Sequence, residues 1–116
     1  MKDKALFLIY KSKKELSFSF RSKGGYTLLD WMEVEDEKTL KRNLRCIRRA
    51  NNTNSYIREL TTNKTKEKWV YILRNSDGDE ILRSRPYSSR QRCDEGLVNF
   101  IEQKKAAKEC DVTERF

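Results

Sequence analysis

Residues 69–101 read WVYILRNSDGDEILRSRPYSSRQRCDEGLVNFI and contain a strand, a tight turn, a second strand and a helix. The first five are aromatic, β-branched or leucine, and such side chains suit a strand. Asp77-Gly78 follows, and this pair between two strand-like runs is a strong hairpin signal because glycine accepts positive φ. The return strand ends before Pro86, which lacks the N–H that a central ladder needs. Residues 69–84 are therefore predicted to form a β-hairpin.

A helix is predicted after the hairpin. Ser88 or Ser89 can accept hydrogen bonds from the free N–H groups at a helix start. Beyond them, one set of side chains recurs at spacings of three and four, so they share one helical face. That face contains Cys93, Gly96, Leu97, Phe100, Ile101 and Lys104. The whole stretch is thus a ββα unit with one buried helical stripe.

A second copy of this unit lies upstream, at residues 16–48. A shift of 53 residues aligns the two copies without a gap and places Gly25 on Gly78. The aligned apolar pairs are Leu16/Trp69, Phe18/Tyr71, Phe20/Leu73, Leu40/Cys93, Leu44/Leu97 and Ile47/Phe100. The apolar strand residues, the turn glycine and the apolar helical stripe of the two copies agree in register. The chain is therefore predicted to contain an internal repeat.

Several motifs of the second copy resemble those of a known family. They are residues 69–73, Asp77, Gly78, Ile81, Leu82, Ser84, Tyr87, Ser89, Gly96 and Leu97. With them the chain resembles the YegP-like family of small, mostly bacterial proteins. The first copy departs from the pattern, with Trp31, Val34 and Asp36 where Ser, Tyr and Ser are expected. Only the scaffold carries over to that copy.

The resemblance implies an α+β fold. Two tandem β(3)-α-β repeats would share one antiparallel-rich sheet with both helices packed on it, and their C-terminal strands would be exchanged. Ser84, Tyr87 and Ser89 resemble the recurring polar corner of the family, and capping and packing of that corner would explain them without catalysis. The resemblance supplies no established activity, cofactor or catalytic residue. The motif residues are Asp77, Gly78, Ser84, Tyr87, Ser89 and Gly96.

Composition favours one folded domain over residues 1–116, with repeats at about 4–55 and 56–116. Hydrophobic residues make up 36% and charged residues 38% of the chain. The hydrophobic share is low beside the usual ~45–50%, but these residues cluster in periodic runs, which argues against disorder. The remaining elements are strands at 5–10, 16–21, 26–32, 56–60 and 111–116, and a helix from the N-cap Asp36 to about Ala50.

Targeting and redox signals favour the cytoplasm. The apolar run at 5–10 is too short for a signal peptide, and no run approaches the ~20 residues of a membrane helix. The three cysteines form no C-x-x-C pair, and the chain has no histidine. We therefore expect reduced thiols, no metal and no cofactor.

The first predicted helix carries the candidate binding site. At about 100° per residue, its apolar stripe leaves six cations on the opposite face and flanks. They are Lys38, Lys41, Arg42, Arg45, Arg48 and Arg49. The corresponding face of the second helix holds Asp94, Glu95 and Glu102, so the two helices are predicted to present opposite charge.

These features predict a non-catalytic interaction module that binds an unknown protein partner. The alternative is nucleic-acid binding without sequence preference, which the net charge of +8 favours. Otherwise, the six cations of the first helix would form a solubilising surface or pair with the acidic helix of a neighbouring molecule. Enzyme activity is not expected, because no histidine, P-loop or nucleophile motif is present. A monomer is expected, since the two repeats complete each other.

Overall fold

The computed structural model describes residues 4–63 and 66–115. Within these residues it contains two α-helices and two β-sheets, so the α+β class is correct. The elements are β1 Leu6–Lys11, β2 Leu16–Arg21, β3 Met32–Glu33, α1 Glu37–Arg49, a 3-10 turn Thr53–Ser55, β4 Ile57–Asn63, β5 Lys66–Arg74, β6 Glu80–Arg83, α2 Arg90–Lys104 and β7 Lys108–Val112.

The first sheet has four strands in the order β3-β2-β1-β7. β2 pairs with its two neighbours in antiparallel fashion, whereas β7 pairs with β1 in parallel. The last strand of the chain therefore lies on the sheet built by the first half. It begins and ends earlier than the predicted strand at 111–116, and Phe116 lies outside the described residues.

The second sheet is the antiparallel meander β4-β5-β6. The two sheets meet at an isolated bridge between Leu29 and Ser84. The prediction of one shared sheet is therefore wrong for the described residues. The reason is that the segment predicted as a strand at 26–32 makes only isolated bridges before the two-residue β3, so no continuous ladder crosses the molecule.

The core lies between the sheets and the two helices. Phe7, Phe20 and Phe100 make successive edge-to-face contacts, and Tyr71 stacks against Phe100 at 5.9 Å between ring centroids. Such aromatic pairs stabilise a core beyond the area that they bury. Both apolar helical stripes point into this cluster.

β2 was predicted to be half-buried, and it is buried on both faces. Ser17 and Ser19, on the face predicted to be exposed, are inaccessible to solvent. Their burial is tolerated because each hydroxyl has a hydrogen-bond partner. Ser19 Oγ donates to the carbonyl of Leu29 at 2.8 Å, and Ser17 Oγ donates to Glu15 at 3.0 Å.

Backbone contacts recur at the 53-residue offset. Gly25 and Gly78 both have positive φ, of 89° and 86°, in their hairpin turns. The side chains of Asp36 and Ser89 cap α1 and α2 in the same way. Equivalent bonds are Gly25 N–H to Ser22 and Gly78 N–H to Asn75, and Val34 N–H to Leu16 and Tyr87 N–H to Trp69. The two halves therefore use the same local geometry.

Candidate polyanion-binding surface

α1 forms where its sequence predicts and begins at a well-made cap. The Asp36 carboxylate accepts a hydrogen bond from the N–H of Thr39 at 2.8 Å, and this bond lowers the pKa of Asp36. Leu40, Leu44 and Ile47 are buried, which fixes the helix rotation. The opposite side of α1 therefore faces solvent, as the periodicity indicates.

Five of the six predicted cations are exposed on that side, and we call them the basic face. They are Lys38, Lys41, Arg42, Arg45 and Arg49. None of them lies within ion-pair distance of an acidic group among the residues that the structure describes. Their charge is therefore left to solvent and to whatever binds there.

Arg48 differs from the other five. Its guanidinium lies 4.8 Å from the centroid of the buried Phe7 ring, and its side chain is half-buried. A cation over an aromatic ring is stabilised by the negative face of that ring. Arg48 therefore has a packing role that sequence analysis missed, because its partner lies far away along the chain.

Two shallow depressions flank the basic face. One, of about 460 Å³, lies between α1 and β7 and is lined by Lys41, Leu44, Arg45, Arg48, Arg49 and Glu109. The other, of about 370 Å³, lies between α1 and the β5–β6 turn and is lined by Arg42, Asn43, Cys46, Asn75, Ser76 and Asp77. Each depression contains one acidic residue from another element. We call the exposed surface of α1 between the two depressions the ridge.

The acidic face predicted for α2 is largely neutralised. Asp94 accepts a hydrogen bond from Arg58 on β4 at 2.7 Å, and Glu102 pairs with Lys105 at 3.1 Å. Glu95 alone of the three predicted acids has no ion pair within the described chain. This arrangement weakens the idea that the basic face pairs with the acidic helix of a neighbour.

The residues of the polar corner in the second half, Ser84, Tyr87 and Ser89, make hydrogen bonds within the chain. Ser84 Oγ accepts from the N–H of Tyr71 at 3.0 Å and donates to the carbonyl of Arg85 at 2.9 Å. Tyr87 exchanges two backbone bonds with Trp69, and Ser89 caps α2. These contacts give Ser84 and Ser89 hydrogen-bond partners and hold the backbone of Tyr87 beside Trp69.

The turn residues of the motif, Asp77 and Gly78, take part in local backbone geometry. The N–H of Asp77 donates to Asn75 Oδ1 at 3.0 Å, and Gly78 adopts the positive φ that the turn requires. Asp77 lines the same depression as Arg42. No local sequence pattern indicates this arrangement, because the turn and α1 are far apart along the chain.

All three cysteines are free, and Cys93 is buried in the core as predicted. Burial raises the pKa of the Cys93 thiol to about 11, so it is protonated near neutral pH. Neither helix of the described chain is long and apolar enough to cross a membrane.

No protein-family model matches the sequence, and no curated protein matches it. Two solved structures, both determined by solution NMR, have a similar fold. YegP from E. coli, described as a protein of unknown function, is 16% identical with a TM-score of 0.82, covering 100% of this chain and 99% of its own. A UPF0339 protein from Shewanella oneidensis is 19% identical with a TM-score of 0.78, covering 94% and 92%. The chain therefore has the YegP-like fold, as the resemblance in its second half predicted.

Proposed function

We propose that this protein is a non-catalytic binding module that contacts nucleic-acid backbones through the basic face of α1. The observation that carries the proposal is the set of five exposed cations on one helical face, none paired with an acid of the described chain. Cations spaced about one helical turn apart can meet successive phosphates, which gives affinity without reading sequence.

Charge reversal of the basic face tests this proposal. In the variant Arg42→Glu, Arg45→Glu, Arg49→Glu, binding to mixed-sequence oligonucleotides should fall at least ~100-fold at about 0.1 M salt, because three of about four phosphate contacts are lost. For the unaltered protein, log K against log salt should have a slope near −3 to −4. Fluorescence anisotropy at several salt concentrations measures both quantities.

A matched control separates the basic face from net charge. The variant Lys23→Glu, Lys66→Glu, Arg92→Glu reverses three exposed cations outside α1. Each triple variant lowers the formal net charge by six units, from +8 to +2. The control should keep most of the affinity. Equal losses in both variants would contradict a site on α1, and circular dichroism checks that α1 remains folded.

We also infer that residues 4–55 and 56–116 are tandem repeats within one domain and that the protein is a cytoplasmic monomer. The equivalent turns and caps at the 53-residue offset support the repeat. Strand exchange is supported by the pairing of β7, in the second repeat, with β1, in the first. The absence of histidine from the sequence supports a role without acid–base catalysis near neutral pH.

A second candidate function is protein binding at β4. This strand is an edge of its sheet within the described chain, and Ile57 and Leu60 are each 45% exposed on its two faces. An edge strand offers free N–H and C=O groups to an added strand. If this is the binding site, Leu60→Lys should abolish capture of a partner from nuclease-treated lysate, whereas the α1 variant should not. Partners that disappear with nuclease alone would favour nucleic acid.

A further inference from the structure

We propose that the nucleic acid bound by the basic face is a duplex rather than a single strand. This inference rests on the proposed function and specifies its ligand. Two features of the surface support it. The aromatic rings lie beneath arginines or away from the basic face, and acidic residues lie beside α1.

Single-strand binding normally depends on exposed aromatic rings on which bases stack. Both tryptophans are half-buried, and each lies beneath an arginine. The guanidinium of Arg115 lies 5.5 Å from the centroid of Trp31, and that of Arg90 lies 5.6 Å from the centroid of Trp69. Phe7, next to α1, is buried beneath Arg48.

Tyr26 is an exposed aromatic residue, with 75% of its surface accessible to solvent. It lies in the first hairpin turn, where the N–H of Lys23 donates to Gln103 on α2 at 2.6 Å. That turn contacts the second helix, whereas the basic face is on the first. Among the described residues, the α1 cations are therefore not interleaved with a stacking platform.

The acidic residues beside α1 disfavour a flexible ligand. A single strand that wrapped around α1 would enter the two depressions and meet Glu109 on one flank or Asp77 on the other. A duplex has a persistence length of about 150 bp and cannot follow such a surface. It would rest on the ridge between the depressions and contact the exposed cations of the basic face there.

The dimensions of the ridge also suit a duplex. From Lys38 to Arg49 the helix rises roughly 16 Å, at about 1.5 Å per residue. The phosphates of one strand of a duplex recur about every 3.4 Å along its axis, so a duplex lying along the ridge can present about four of them to the cations.

Counterion release gives the size of the expected preference. For about four phosphate contacts, the salt slope is near −3.6 for duplex DNA and near −2.8 for a single strand. If the two ligands bind equally at 1 M salt, the duplex is favoured roughly sixfold at 0.1 M salt and tenfold at 0.05 M.

The test is anisotropy with a labelled mixed-sequence DNA duplex and a non-pairing single strand of the same length, at three salt concentrations. The expected result is tighter duplex binding, with a preference that grows as salt falls. Single-strand binding equal to or tighter than duplex binding would overturn this inference while leaving the proposed function intact. Failure of both ligands to bind would instead reject the proposed function.

A second variant tests the reason for the preference. Asp77→Asn with Glu109→Gln removes the negative charge from both depressions, and both side chains are exposed, so folding is preserved. Affinity for the single strand should rise severalfold and affinity for the duplex much less, which narrows the ratio. An equal rise for both ligands would show that the duplex also enters the depressions and would overturn the ridge geometry.

Discussion

At the scale of single residues, Tyr87 and Gly96 form a close pair between the second sheet and α2. A Cβ added to Gly96 would lie 2.7 Å from Tyr87 Cε1 and closer still to Cζ and the hydroxyl oxygen. At the positions 53 residues upstream, Val34 stands for the tyrosine, and Asn43, which is buried, stands for the glycine. In the first half a residue smaller than tyrosine, Val34, lies on the strand side and a residue larger than glycine, Asn43, lies on the helix. In the second half the large residue, Tyr87, is on the strand side and the small one, Gly96, is on the helix.

Gly96→Ala should destabilise the protein. Alanine is favoured over glycine in a helix by about 1 kcal/mol, but overpacking against the half-buried Tyr87 ring costs about 1–3 kcal/mol. We expect a net loss in the free energy of unfolding, measured by urea denaturation. The double variant Tyr87→Val with Gly96→Ala removes the overlap and should make the alanine substitution stabilising in that background. A stabilising Gly96→Ala in the unaltered protein would contradict the close packing.

At the scale of elements, α1 and α2 are connected by a buried lysine. Lys104, in the last turn of α2, is 1% exposed. Its Nζ donates to the carbonyl of Arg48 at 3.0 Å and to Asn51 Oδ1 at 2.6 Å. The lysine thus satisfies a carbonyl that the end of α1 leaves free. Burial lowers the pKa of Lys104, with a further contribution from the positive charge of Arg48.

Lys104→Met should cost about 1–3 kcal/mol at neutral pH, because it removes both hydrogen bonds while preserving the side-chain length. The effect should depend on pH. With its pKa lower in the folded state, Lys104 binds fewer protons folded than unfolded, so its contribution to stability rises as pH approaches the ordinary value of 10.5. Urea midpoints of both proteins at pH 7 and pH 10 measure this. A difference that shrinks at pH 10 would contradict it.

Sequence periodicity predicted the positions of the helices and strands better than the contacts and burial around them. The caps Asp36 and Ser89 and the span of β2 agree with the structure, because caps and alternation are local signals. The segment between the predicted strand at 56–60 and the predicted hairpin at 69–84 is mostly strand in the structure. β5 begins at Lys66, which pairs with Asn63, and residues 64–65 lie outside the described residues. Lys66 and Glu67 suit a loop by residue type, but they form the exposed start of β5.

At the scale of the whole molecule, buried tyrosines make the fold sensitive to alkali. Burial raises the pKa of Tyr56, Tyr71 and Tyr87, and Tyr71 is inaccessible to solvent. An acid whose pKa is higher when folded stabilises the fold below its ordinary value, near 10, and this stability is lost as pH rises above it. Lys104 acts in the opposite direction, because its contribution to stability rises with pH. That rise ends near its ordinary pKa of 10.5.

The free energy of unfolding should therefore change little between pH 6 and 8, where no histidine titrates, and fall above pH 10. Urea denaturation across this range measures the stability. Tyrosinate absorbance near 295 nm should appear together with unfolding for the buried rings. Ionisation of every tyrosine near pH 10 without loss of structure would contradict the burial of Tyr71.

The candidate site shows where sequence reasoning ends. The helical period alone located the basic face, because the cations and the buried stripe lie on one element. The neighbours that shape its edges, Asp77 and Glu109, come from a turn and a strand distant in sequence. The pairing of Asp94 with Arg58 likewise required the second sheet to be placed. No local pattern contains such information.

Lys104 and Asn51 are 53 residues apart, which is the offset of the proposed repeats, and they touch. In an assembly of two identical chains, a residue at such a place meets its own copy. Two buried lysines would repel each other, and two asparagines would leave the gap that a longer side chain spans. Fusion into one polypeptide lets one side supply the cation and the other the acceptor. Covalent linkage therefore allows a complementary pair that a homodimer with this symmetry could not contain.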